Sequence, residues 1–177
     1  MQSAFVSQFV KALSRTRQTK TDQNKHQTIG RLGRVTRIIS LHSFRGGTGK
    51  SNITANVSYM LAQRGYRVGI FDTDIQSPGI HVIFSISHDN IKYTLNDYLW
   101  GNCKIEEAAC AIDVPSSGEK TGRIYLVPSS IKAHDIARIL REKYDANALN
   151  NGFRDLISAL SLDFLLIDTH PGLNEDT

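Results

Sequence analysis

The sequence predicts an α/β fold, a doubly wound and mostly parallel sheet, and three segments carry that prediction. Residues 35–41 form an apolar, β-like run that meets a glycine-rich turn and then a helical pattern reaching about Arg64. Residues 68–71 form a second apolar run, which ends in Asp72-Thr73-Asp74. Residues 164–167 form a third, which ends in Asp168. Strands that read as unbroken apolar runs are buried on both faces. Strand–helix alternation places such strands side by side and parallel. Open sheets of this kind bind ligands at the carboxyl ends of their strands, and all three runs put polar chemistry there.

The remaining elements follow in order. Residues 49–64 read as a helix whose apolar face is Ile53, Val57, Met60 and Leu61, stopped by Gly65. Residues 67–71 are strand, and 80–84 a short apolar piece. Residues 94–100 read as a helix with Thr94 as N-cap, Gly101 as stop and Trp100 in the core. Residues 105–111 are helical or turn-like, and 114–122, with Pro115, Ser116, Ser117 and Gly118, are loop. Residues 123–127 are strand, ending at Pro128-Ser129-Ser130. Residues 131–143 read as a helix with Ile136, Ile139 and Leu140 inward. Residues 147–152 read as a break, 153–160 as a helix and 162–168 as the last strand.

The turn Phe44-Arg45-Gly46-Gly47-Thr48-Gly49-Lys50-Ser51 is an anion site in the making. Where a strand hands over to a helix, backbone N–H groups converge and the helix dipole adds positive charge. Glycines let the backbone wrap closely round a phosphate. Lys50 can reach β- and γ-phosphates, and the Ser51 hydroxyl can ligate Mg²⁺. The usual pattern G-x-x-x-x-G-K-[ST] is not quite met, because Phe44 stands where the first glycine belongs.

The stretch from Arg45 to Ser51 resembles the deviant phosphate loop of the MinD/ParA family of P-loop ATPases, K-G-G-x-G-K-[ST], with Arg45 in place of the signature lysine. The D-x-D at Asp72 and Asp74, and the Walker B pattern ending at Asp168, strengthen the resemblance. So does the turn at Pro128-Ser129-Ser130. The resemblance implies a P-loop NTPase fold and Mg²⁺-dependent hydrolysis of ATP, with ATP and Mg²⁺ as ligands. Gly46, Gly47, Thr48, Gly49, Lys50, Ser51 and Asn52 would hold the nucleotide. Gly172 would offer a backbone amide near the γ-phosphate. Ser51, Asp72 and Asp168 would hold Mg²⁺. Asp74 would orient the attacking water, with Lys50 and Arg45 completing the catalytic set and Arg45 reaching a partner's nucleotide across an ATP-dependent homodimer. Arg45 is a planar fork rather than a compact point charge, so the exchange is not neutral. Where the family often has proline, this chain has His170, which either senses nucleotide or fills a turn. The resemblance runs from Val35 to the last residue, five past Gly172, which implies the N-terminal part of such a protein, truncated at its C-terminus with an incomplete base pocket. It also implies a role in positioning, such as cell division or partitioning, and an activating partner protein.

Composition bounds the rest. The 177 residues suffice for one domain with a substantial core, expected over residues 35–177. Nothing approaches the roughly 20 apolar residues that span a bilayer, and the N-terminus lacks a signal-peptide core. Cys103 and Cys110 lack a surrounding ligand cluster and read as free thiols in a helix and a loop, as a reducing cytoplasm allows. Residues 1–34 read as a basic arm, with Asp22 the one acid against Lys11, Arg15, Arg17, Lys20, Lys25, Arg31 and Arg34. Within it Phe5, Val6, Phe9, Val10 and Leu13 fall on one helical face. Such a segment can lie on an anionic membrane, which would make the protein peripheral there, dock on a partner or on this protein, or meet DNA phosphates without reading bases. Three rival functions remain: a non-hydrolysing nucleotide-binding scaffold, a relative of the polysaccharide-export tyrosine kinases, and an iron–sulphur reductase. The kinase class carries a tyrosine-rich tail after the domain. The reductase needs cluster cysteines in glycine-rich loops, where Cys103 and Cys110 do not sit.

Overall fold

The computed structural model describes residues 35–115 and 121–172. The expected N-terminal arm, the serines and glycine at 116–118 and the last five residues lie outside the described residues. Five strands form one sheet: β1 (Arg37–Leu41), β2 (Arg67–Asp72), β3 (Cys110–Asp113), β4 (Arg123–Val127) and β5 (Phe164–Asp168), in the spatial order β1-β5-β2-β4-β3. All neighbours are parallel except β3, which runs antiparallel to β4. The doubly wound, mostly parallel α/β fold is therefore present.

The helices are α1 (Lys50–Gln63), α2 (Ile80–Ile83), α3 (Leu95–Leu99), α4 (Ala133–Glu142) and α5 (Ala146–Leu160). They build two cores on opposite faces of the sheet. One packs Ala55, Val57 and Leu61 of α1 against Val68, Ile70, Ile124 and Leu166. The other packs Leu156 of α5 and Leu95 of α3 against Phe71, Tyr125 and Leu165. Strand residues alternate between these faces, which is why β2, β4 and β5 had to be apolar at nearly every position. No helix among the described residues is long and apolar enough to cross a membrane.

Capping sets several boundaries as expected. Thr94 caps α3 and shares a reciprocal capping box with Asp97, and Gly65, at φ 82°, ends the turn after α1. Five local expectations need correction. Residues 110–113 are a strand rather than helix, turn or loop, a four-residue edge whose Asp113 pairs with Arg123 at 2.6 Å. Short, charged edges are poor templates for further pairing. Residues 147–152 are not a break: Asp145 caps α5 by accepting from the Asn147 amide at 2.8 Å, and the helix runs on through Gly152. The glycine serves packing there, because an added Cβ would lie 2.8 Å from Tyr98 Cε1. Leu140 is exposed and so is Ile53; Thr54, Ala55 and Ser58 take the buried face of α1 instead. Trp100 is only half-buried, with the Arg138 guanidinium 4.2 Å above its ring.

Candidate functional site

The carboxyl ends of β1, β5 and β2 lie side by side, and parallel register sets Asp72 directly beside Asp168. Thr73 locks the two ends together, its amide and its hydroxyl each donating to the Asp168 carbonyl at 2.9 Å. Ser129 ties in β4 by donating to the Asp72 carbonyl at 2.7 Å. That hydroxyl is 1% exposed, and its role was visible in sequence only as a small residue after Pro128.

Between β1 and α1 the chain turns through Gly47 at φ 71° and Gly49 at φ 86°. Side chains rarely adopt either value. Helix α1 then starts at Lys50 with no side-chain cap and no acid in its first turn. Its first amides are therefore free of the usual competitor for an anion. Gly46 faces Pro171 across the loop, with 3.8 Å between an added Cβ and Cγ.

Three carboxylates crowd the rim. Asp72 is fully buried, and burial, then Asp168 and Asp74, push it up to about 8. Burial also raises Asp168, opposed by the Ser51 hydroxyl and the Lys50 charge, which places both loop residues next to that acid. Oδ2 of Asp72 and Oδ1 of Asp168 are buried without a hydrogen-bond partner. Unpartnered buried carboxylate oxygens are costly unless a ligand completes them. A hydrated Mg²⁺ suits this donor set, being hard and oxygen-seeking and keeping several waters. Among the described residues no three His, Cys, Asp or Glu side chains form a complete metal cage.

The structure thus gathers Lys50, Ser51, Asp72, Asp74 and Asp168 at one rim. Arg45, Thr48 and Asn52 are exposed. Gly172, at φ 111°, already donates its amide to the Ser43 carbonyl at 3.1 Å, so it reaches a phosphate only by exchanging that bond. His170 is neither remote nor a bare turn residue: its Nδ1 lies 2.7 Å from Asp74 Oδ1. A cleft of about 920 Å³ opens beside the rim, lined by Thr73, Ile139, Tyr144, Phe153, Ile167 and His170 among others. The phosphate-loop residues 46–51 do not line it, so the cleft is not the anion site.

A strand, a left-handed glycine turn and an uncapped helix start, flanked by strand-end acids, define a nucleotide-binding protein of the P-loop class. A family model described as an AAA domain matches residues 36–177, and the chain belongs to that family, within the MinD/ParA type of P-loop ATPases. It is 34% identical over 143 residues to the flagellum site-determining protein YlxH of Helicobacter pylori, covering 80% of this chain and 43% of that protein. It is 29% identical to an iron–sulfur cluster carrier protein of Clostridium perfringens, covering 82% and 48%. Among solved structures it resembles the septum site-determining protein MinD of Pyrococcus horikoshii complexed with Mg-ADP, with 30% identity and a TM-score of 0.63. The match covers 80% of this chain and 52% of that one. The chain therefore spans about half the length of the relatives it matches.

Proposed function

We propose that this chain supplies the phosphate- and Mg²⁺-binding part of an ATPase that works as a dimerisation switch. The observation that carries the reading is Lys50 and Ser51, at an uncapped helix start, set against buried Asp168 beside Asp72. Loop amides and Lys50 hold the β- and γ-phosphates. Ser51, Asp168 and Asp72 would hold Mg²⁺, which, when bound, neutralises charge on the transferred phosphoryl group. Asp74 orients a water against the γ-phosphorus. The water oxygen bonds to phosphorus as the β–γ bridging bond breaks, the electron pair leaves with ADP, and the water proton passes to the Asp74 carboxylate.

Arg45 reaches the nucleotide of a second copy, so that ATP favours the dimer and hydrolysis releases it. Its exposure leaves it available for that contact. The setting is intracellular positioning in the cytoplasm, where a partner protein stimulates turnover. Relatives named for flagellum and septum sites support it. Residues 1–34, basic in sequence, would meet an anionic surface, membrane or DNA.

Calorimetry with Mg²⁺-ATP on this chain and on Lys50→Ala tests the site. The expected result is micromolar binding that the variant weakens by roughly 100-fold, the scale of losing a charged phosphate contact. Equal affinity in both proteins, or none in either, overturns the reading.

A further inference from the structure

The loop after β5 reaches back across the acidic rim and grips one carboxylate. Oδ1 of Asp74 takes the amide of Ser77 at 3.2 Å and Nδ1 of His170 at 2.7 Å. Oδ2 has no hydrogen-bond partner among the described residues. With Asp74 as a carboxylate, Oδ1 accepts, so Nδ1 carries the proton. The contact is sheltered, with the two side chains 30% and 12% exposed.

The histidine is itself held on both sides. Thr169 donates its hydroxyl to the Leu41 carbonyl at 2.7 Å, and Gly172 donates its amide to Ser43 at 3.1 Å. Both anchors lie on the segment that leads from β1 into the phosphate loop. The ring is thus referenced to the phosphate site, while its Nδ1 is referenced to Asp74, 96 positions earlier in the chain.

A terminal carboxylate turns easily about its last torsion, because that torsion has broad wells. Left to itself, an acid on a strand-end loop would present either oxygen over a wide arc. Two donors on one oxygen remove that freedom and leave the other oxygen without a hydrogen-bond partner among the described residues. We propose that His170 is a positioning residue for Asp74. It holds Oδ1 and so aims Oδ2 at the water that attacks the γ-phosphate. The inference rests on the ATPase reading above and names the residue that orients its acid.

The test uses the full 177-residue chain, with Mg²⁺-ATP affinity by calorimetry and single-turnover hydrolysis measured on the same samples. His170→Ala is expected to slow hydrolysis by roughly 10-fold or more while affinity stays within about 2-fold, since a displaced reacting group costs rate rather than binding. His170→Asn, whose amide can donate in place of Nδ1, is expected to recover much of the loss. In Asp74→Asn, adding His170→Ala is expected to slow nothing further, because a positioning residue has nothing left to position. Nitrogen NMR of the ring supplies a readout independent of turnover: Nδ1–H in the wild type, shifting towards Nε2–H in Asp74→Ala. Unchanged or faster hydrolysis in His170→Ala, equal loss of affinity and rate, failure of the asparagine to rescue, or a ring tautomer indifferent to Asp74 overturns the role. A wild-type chain that binds Mg²⁺-ATP yet never hydrolyses it overturns the ATPase reading itself, and the role with it. That failure shows already in the wild type, whereas failure of the role shows only when the variants are compared with a wild type that turns over.

Discussion

Strands β2 and β5 run side by side and change character together at their last residue. Their bodies, with Val68, Ile70 and Phe71 on one and Phe164, Leu165 and Leu166 on the other, are at most 2% exposed and packed into apolar cores on both faces. Their ends, Asp72 and Asp168, are as deeply buried, yet each keeps a carboxylate oxygen without a partner. Among the described residues, neither strand body holds a buried side-chain N or O atom without a partner. The rim withholds satisfaction and concentrates like charge. Folding free energy generated in the first region holds the second in an arrangement that bare physics disfavours.

The largest effect expected from this contrast lies in the body. Leu165→Ala should cost about 2–5 kcal/mol in denaturant unfolding, the range for emptying a close-packed aliphatic site. A cost below about 1 kcal/mol would break the contrast, since the sheet would then be loosely packed.

The rim should behave in the opposite sense. Asp72 is raised from 3.8 to about 8 in the folded protein, so between those values the native state binds a proton that the unfolded chain has released. Its contribution is therefore fully present below pH 3.8 and is lost as pH rises through about 8. In metal-free buffer the wild type should lose stability over that window relative to Asp72→Asn, which stays neutral, and the variant should be the more stable protein at pH 8. Thermal or urea unfolding across the pH series measures the difference. Parallel pH profiles for the two proteins would show that the rim carries no strain.

The smallest effect belongs at the antiparallel edge. Arg123 and Asp113 pair at 2.6 Å in the open, with side chains 46% and 78% exposed. Solvent screens such pairs, and Asp113→Ala should leave the unfolding midpoint unmoved within error. A shift of several degrees would mean that β3 closes the sheet cooperatively rather than trimming it.

How much of this was legible depends on the range over which the governing forces act. The three apolar runs, the acids ending two of them, the glycine turn with Lys50 and Ser51, and the Thr94 cap are local patterns. Burial on both faces demands the unbroken runs of β2 and β5, and a left-handed turn demands glycine, so these could be read residue by residue; β1, at the edge of the sheet, instead leaves Ile38 56% exposed. Other features depend on what a segment meets. Residues 110–113 became a strand because β4 lay open beside them, and Gly152 stayed helical because Tyr98 needed the space. Leu140 turned outward although periodicity placed it on the inner face. Asp72 met Asp168 through strand register, and His170 met Asp74 through a loop folding back over 96 positions. By itself the sequence determined where the glycine turn, Lys50, Ser51 and the strand-end acids fall. Only the tertiary structure decided which acid would be burdened by its neighbours and which would be held by a histidine, because those choices are made by contacts between segments that no local pattern encodes.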